Sequence, residues 1–240
     1  MSDNLDDPTV LVPVNAAEPE EPSAALIDLL HPHRVVVLGY YPVPDQASPE
    51  QLQDEYGAEA AATVESIASR FAERGADAEP IVVFTRDRQA TIDRVAEETG
   101  CDAVLTGGAI GDGLDRVFVP LKGDANLGRI VAFVGALLDE NDASVTLFNV
   151  ADDDEEESAG EFLLRGAADR LADDGIDRDR IDWTQERSGS PGDAIVAGAR
   201  DADLIVVGES EPSLRERLLG DVLDRIIADS SHPVLVVRNE

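Results

Sequence analysis

Short apolar runs alternate along the chain with stretches in which apolar residues recur every three or four positions. The runs at 203–208 and 233–238 are rich in Val, Ile and Leu and are bounded by Gly or Pro, as is typical of strands buried on both faces. A four-residue apolar period between them predicts a helix, with its apolar positions at Leu214, Leu218, Val222 and Ile226. A strand, a helix and a second strand in this order predict a parallel β-α-β unit.

The same pattern occurs twice, imperfectly. Thr9–Asn15 is similar to Arg116–Lys122, and Asp102–Gly107 is similar to Asp203–Gly208. Because strands alternate with helices throughout, we predict an α/β fold of two tandem Rossmann-like parallel-sheet domains.

The two copies differ in completeness. The second has five predicted strands, at 116–122, 144–150, 180–186, 203–208 and 233–238. The first ends at Gly107, because the short glycine-rich stretch 108–113 leaves no room for a fourth helix and a fifth strand. We therefore predict a truncated N-terminal domain at 1–112 and a complete C-terminal domain at 113–240. An open parallel edge invites pairing, so we expect the edge at 103–107 to be covered by the other domain or by a second chain.

Charge restricts the classes of partner. The 240 residues include 51 acidic and 19 basic ones, a formal net charge of −32, and Lys122 is the only lysine. Such a surface disfavours nucleic acid and anionic membranes. An acidic, lysine-poor surface stays hydrated at molar salt, where the Debye length is about 3 Å, so we expect a halophilic protein.

Three features of the sequence bear on the cellular location of the protein. One cysteine, Cys101, excludes an internal disulfide and fits a reducing compartment. The longest apolar run, 130–138, is too short to cross a bilayer, and the N-terminus is acidic and polar rather than signal-like. We expect a cytoplasmic protein without membrane insertion.

The phrase Asp203-Leu-Ile-Val-Val-Gly208, followed by Pro233-Val-Leu-Val-Val-Arg238, resembles the C-terminal third of the universal stress protein family. The resemblance extends, more weakly, over nearly the whole chain. It implies a stress-response protein and, in ATP-binding members, two features. These are an Asp just after the Pro of the first strand, and a phosphate loop of the form G-x2-G-x9-G-S/T.

This chain departs from both features. Gly208 supplies the first glycine, but Glu211 stands at the second, and Gly220 comes one residue early. Asp221 replaces the hydroxyl residue, and Lys122 replaces the first-strand Asp. A carboxylate about 4 Å from a phosphate costs roughly 1 kcal/mol even in water. We therefore predict that the usual ATP site is lost and that no cofactor is used. The protein would be a regulatory or interaction module, not an enzyme. The alternative is an ATP-binding member, with slow hydrolysis, whose loop has rearranged.

Lys122 has two interpretations. It could anchor a phosphate or carboxylate ligand, or it could form a structural ion pair with Asp124 or Glu211. In the first copy Asn15 stands at the equivalent position, and the glycines at 108 and 111 lead into a strand. Without a helix terminus behind them, we predict no phosphate site there.

No catalytic or metal-binding constellation is evident. His31, His33 and His232 resemble turn residues without a Ser or Cys at motif spacing. The acidic run 152–157 predicts a dipole-stabilised helix start, since its spacing matches no metal-binding loop. By the family resemblance, we expect a homodimer or a protein partner through Leu214 to Val237, and association with a transporter as a regulatory subunit is compatible with it.

Overall fold

The computed structural model describes residue 5 and residues 7–107, 113–123, 126–209 and 232–239. The chain forms two compact units, Asp7–Leu105 and Thr106–Glu240. Each unit is an α/β structure around a parallel sheet, as the alternation of strands and helices predicts. The predicted boundary between residues 112 and 113 adjoins 108–112, which lie outside the described residues, so it stays a prediction.

The N-terminal unit contains four parallel strands in the order β3-β2-β1-β4. The strands are β1 (Thr9–Asn15), β2 (Arg34–Pro42), β3 (Asp77–Thr85) and β4 (Ala103–Gly107). Its helices are α1 (Ala24–Leu30), α2 (Pro49–Ala72) and α3 (Arg88–Glu98). Because α2 and α3 cover opposite faces of the sheet, the central strand β2 is buried along most of its length.

Helix α2 shows how local sequence fixes an element. Ser48 and Gln51 form a reciprocal capping box, and Pro49 begins the helix with its backbone angle already set. Hydrogen bonding to its own backbone N–H, and then to Ser48, lowers the pKa of Glu50. At the other end, Gly75 turns the chain with a φ of 115°, which suits glycine.

The C-terminal unit contains five parallel strands in the order β9-β8-β5-β6-β7. The strands are β5 (Arg116–Pro120), β6 (Ser144–Ala151), β7 (Ile181–Arg187), β8 (Leu204–Gly208) and β9 (Pro233–Val237). The described helices are α4 (Leu127–Leu138), α5 (Asp154–Asp173) and α6 (Pro191–Gly198). The helix predicted at 214–228 lies outside the described residues.

The strand order places a switch point between β5 and β8. From β5 the chain continues to β6 and β7 on one side, whereas β8 continues to β9 on the other. Ligands of open parallel sheets bind in the crevice that such a reversal leaves at the carboxyl ends of the strands. Of the site residues predicted from the sequence, Lys122 follows β5 and Gly208 is the last residue of β8.

Both units anchor their first strand in the same way. Asp102, just before β4, accepts a hydrogen bond from the backbone N–H of Thr9 at 2.8 Å. Asp203, just before β8, accepts from the backbone N–H groups of Asp115 and Arg116, both at 2.9 Å. The repeat seen in the sequence is therefore a repeat of hydrogen bonds as well.

Within the described ranges, none of the helices is both long enough and apolar enough to cross a membrane.

Candidate functional site

The carboxyl ends of β5 and β8 lie side by side. Val117 pairs with Leu204 and Phe118 with Ile205, so the chain leaves both strands at the same edge of the sheet. Lys122 follows β5 and is exposed, and Gly208 is the last residue of β8. Two sequence-predicted site residues thus belong to neighbouring strand ends. The other three, Glu211, Gly220 and Asp221, lie outside the described residues.

Gly208 has a packing reason to be glycine. A Cβ added there would lie 2.5 Å from Cδ1 and 3.1 Å from Cγ1 of Ile130, a buried residue of α4. The 2.5 Å separation is shorter than real Cβ contacts, so a side chain at position 208 would require the Ile130 side chain to shift. The glycine is explained by helix packing and is not in itself a sign of a phosphate loop.

Glu209 brings a carboxylate to this edge. Its backbone N–H donates to the carbonyl of Val237 at 2.6 Å, and its Oε2 accepts from the backbone N–H of Asn239 at 3.2 Å. The residue therefore ties the loop after β8 to the end of β9. Sequence reasoning missed it, although its position directly after the first glycine of the predicted loop was a usable signal.

Asn126 links the loop after β5 to the loop after β8. Its φ is 59°, the left-handed region that Asn tolerates better than most residues, and its Nδ2 donates to the carbonyl of Glu209 at 3.3 Å. Its side chain does not cap α4, and the first turn of that helix contains no acidic residue. Arg129 lies in this turn and is half-buried, so positive charge as well as a helix start adjoins the strand ends.

A buried amide network fixes the residue before Lys122. Asn149 of β6, only 5% exposed, donates from Nδ2 to the carbonyl of Leu121 at 2.8 Å. Gln185 of β7 donates from Nε2 to Asn149 Oδ1 and to the carbonyl of Glu157, both at 3.0 Å. Gly160 of α5 is packed so tightly against both amides that a Cβ would overlap them. Strands β6 and β7 thereby hold the start of the loop that carries Lys122.

The acidic run does begin a helix. Asp153 caps α5 by accepting from the backbone N–H groups of Glu155 and Glu156, at 3.0 Å and 2.9 Å. This confirms the predicted helix start. Among the described residues no group of His, Cys, Asp or Glu side chains is arranged to hold a metal ion.

A parallel sheet whose strand order reverses at β5 and β8 defines a Rossmann-like class of protein, and a comparison with known families gives the family. The sequence model of the Universal stress protein family matches residues 113–238, more than half of the chain, and the protein belongs to that family. A search of curated proteins finds no match.

Solved structures resemble the chain over almost its full length. A universal stress protein from Archaeoglobus fulgidus DSM 4304 is 17% identical, with a TM-score of 0.67 and coverage of 98% of both chains. A putative universal stress protein from Pseudomonas aeruginosa UCBPP-PA14 is 13% identical, with a TM-score of 0.61 over 96% of this chain and 92% of its own. The cytoplasmic domain of a prokaryotic cation chloride cotransporter is 15% identical, with a TM-score of 0.52 over 96% and 95%. At these identities the likeness shows the fold.

Proposed function

We propose that this universal stress protein is a regulatory or interaction module that does not bind ATP in the usual way. The observation that carries the proposal is the position of Glu209. Its carboxylate adjoins the end of β8 and accepts the backbone N–H of Asn239. A carboxylate at this strand end would oppose a phosphate bound against the loop that follows β8.

The size of the electrostatic repulsion supports the loss of ATP binding. One carboxylate about 4 Å from a phosphate opposes it by roughly 1 kcal/mol in water and several times more in a partly buried site. Glu209 is half-buried, so molar salt screens it incompletely. The sequence adds Glu211 and Asp221 to the same loop, which is also one residue shorter than the family pattern.

In this proposal the protein acts through its surface, in a salt-rich cytoplasm, without catalysing a reaction. The C-terminal strand and helix, Leu214 to Val237, would contact a second copy or another protein. A transporter is a further candidate partner. The likeness to a cotransporter's cytoplasmic domain indicates only that the same fold serves in that setting.

One observation favours an alternative, a nucleotide-binding protein with a rearranged loop. Lys122 is exposed at the end of β5. The ion-pair partners predicted for it, Asp124 and Glu211, lie outside the described residues. Together with Arg129, Lys122 could supply positive charge that the short loop lacks. In that case ATP would bind through cations of the β5–α4 segment.

Calorimetric titration of the intact protein with ATP and Mg²⁺ in molar KCl separates the two functions. We expect no detectable heat of binding. Micromolar affinity would contradict the proposal and favour the alternative. Lys122→Ala should then weaken binding, whereas Arg200→Ala, a matched loss of one exposed cation elsewhere in the unit, should not.

A further inference from the structure

The outermost strands of the two units differ in how open their edges are. β3 contains Pro80, which lacks a backbone N–H, and its Asp77 and Glu79 face Arg34 at 3.9 Å and 2.6 Å. β7 contains neither Pro nor Gly. Its Asp182 and Glu186 form no ion pair with any described residue. Pro80 protects the edge of β3, whereas among the described residues no proline interrupts the edge of β7, which carries the charges of Asp182 and Glu186 instead.

One exposed aromatic ring, that of Trp183, lies on β7 itself. Phe162 of α5 is 82% exposed and Trp183 of β7 is 39% exposed, and they are the large apolar side chains most open to solvent in the described chain. Arg165 Cζ lies 5.9 Å from the centre of the Trp183 ring, which holds that ring on the α5 side. Because side chains alternate along a strand, Asp182 and Glu186 lie on the opposite face.

We propose that the outer edge of β7 is a docking site for an extended basic segment of a partner protein, which adds a strand to the sheet. The edge offers unpaired backbone groups, as in other cases of strand addition. On one face Asp182 and Glu186 would pair with Lys or Arg at alternate positions of the segment. On the other face Trp183 would contact its apolar residues.

Charge argues against a second copy of this chain as the occupant. If β7 paired antiparallel with itself about Thr184, each Asp182 would lie opposite Glu186 of the other copy. Like charges directly opposite each other destabilise a strand pair. Asp182 and Glu186 would repel the same strand of a second copy and attract a cationic segment. The two carboxylates therefore disfavour self-association at this edge and favour a basic partner.

Trp183 is the only tryptophan, so its fluorescence reports on this edge directly. The probe is a ten-residue peptide that alternates arginine and valine. It is titrated into the intact protein at the lowest KCl concentration at which circular dichroism shows the native fold. We expect a saturable change in Trp183 emission that molar KCl weakens. A peptide with the same residues in two blocks, one of arginine and one of valine, should bind at least about tenfold more weakly, since it cannot present alternate faces.

Variants decide whether the edge is the site. Asp182→Asn with Glu186→Gln should weaken the alternating peptide about tenfold. The charge-matched control Asp45→Asn with Asp54→Asn, in exposed positions of the other unit, should leave affinity unchanged. An absent emission change, equal binding of the block peptide, or an equal loss in the control would each overturn the proposal. So would sedimentation showing that β7 variants dissociate a dimer of this chain.

Discussion

In the N-terminal unit Gly39 of β2 packs directly on Val64 of α2, whereas Asn149 stands at the corresponding point of β6 and contacts Gly160 of α5. The first contact is apolar and only brings helix and sheet together. The second is polar and also holds the carbonyl of Leu121, next to Lys122. A repeated fold has thus acquired, in one copy alone, a network that fixes a loop at the ligand edge.

The shared parts show that this network is not needed for the fold. Asp102 and Asp203 anchor the first strands alike, and Gly75 and Gly175 turn the ends of α2 and α5 with φ values of 115° and 109°. The N-terminal unit folds with the same anchors and without a buried amide at Gly39. We therefore attribute the amide network of Asn149 and Gln185 to positioning the loop that carries Lys122, and not to stabilising the fold.

Gly160→Ala should have the largest effect. The new Cβ would overlap Asn149 Oδ1 and Gln185 Nε2, which cannot move without losing hydrogen bonds, so we expect a loss of about 3 kcal/mol in urea unfolding. Gly166→Ala is the matched control in the same helix, where a Cβ meets nothing within 4 Å. It should stabilise by about 0.5–1 kcal/mol. A similar effect of both substitutions would show that the network is loose.

Asp203→Ala should destabilise by about 2 kcal/mol, because two backbone N–H groups lose a charged acceptor. Asp102→Ala tests whether the N-terminal anchor matters equally, and a loss of similar size is expected. The exposed Asp201 provides the control, since Asp201→Ala should change the free energy of unfolding by less than about 0.5 kcal/mol. If Asp102→Ala had no effect, the two anchors would not be equivalent.

Glu50→Gln should have the smallest effect, and it should depend on pH. Because the pKa of Glu50 is lowered in the folded state, its contribution is present above the unfolded pKa and is lost as the pH falls through the folded pKa. Wild type should therefore be more stable than the variant at neutral pH, with the difference vanishing in acid. Urea unfolding from pH 7 to pH 3 measures this, and a constant difference would contradict the assignment.

Sequence reasoning found the strands whose apolar pattern is continuous. It predicted β1 with its observed bounds and β5 to β9 within two residues at each end. It missed β3, since Asp77, Glu79 and Pro80 interrupt the apolar pattern, and α1, which is only two turns long. The secondary structure of β3 and of α1 therefore depends more on tertiary contacts than on the local pattern of apolar residues.

The site was less predictable. Lys122 and Gly208 were found because they align with a family motif, whereas Glu209 stands at a position of the loop that the motif leaves open. The amide network depends on Asn149 and Gln185, 36 residues apart, and on the lack of a side chain at Gly160. No local spacing encodes such a contact, so it appears only once the strands are placed side by side.

The most direct test of the account is ATP binding after removal of the negative charge without change of shape. Glu209→Gln, Glu211→Gln and Asp221→Asn are combined in the intact protein, with Asp182→Asn and Glu186→Gln as a charge control at another edge. Calorimetry with Mg²⁺ in molar KCl should show no binding to wild type or control and a measurable affinity for the neutralised site. Equal affinity in wild type and neutralised protein, or none in either, would contradict the claim that resident carboxylates exclude the nucleotide.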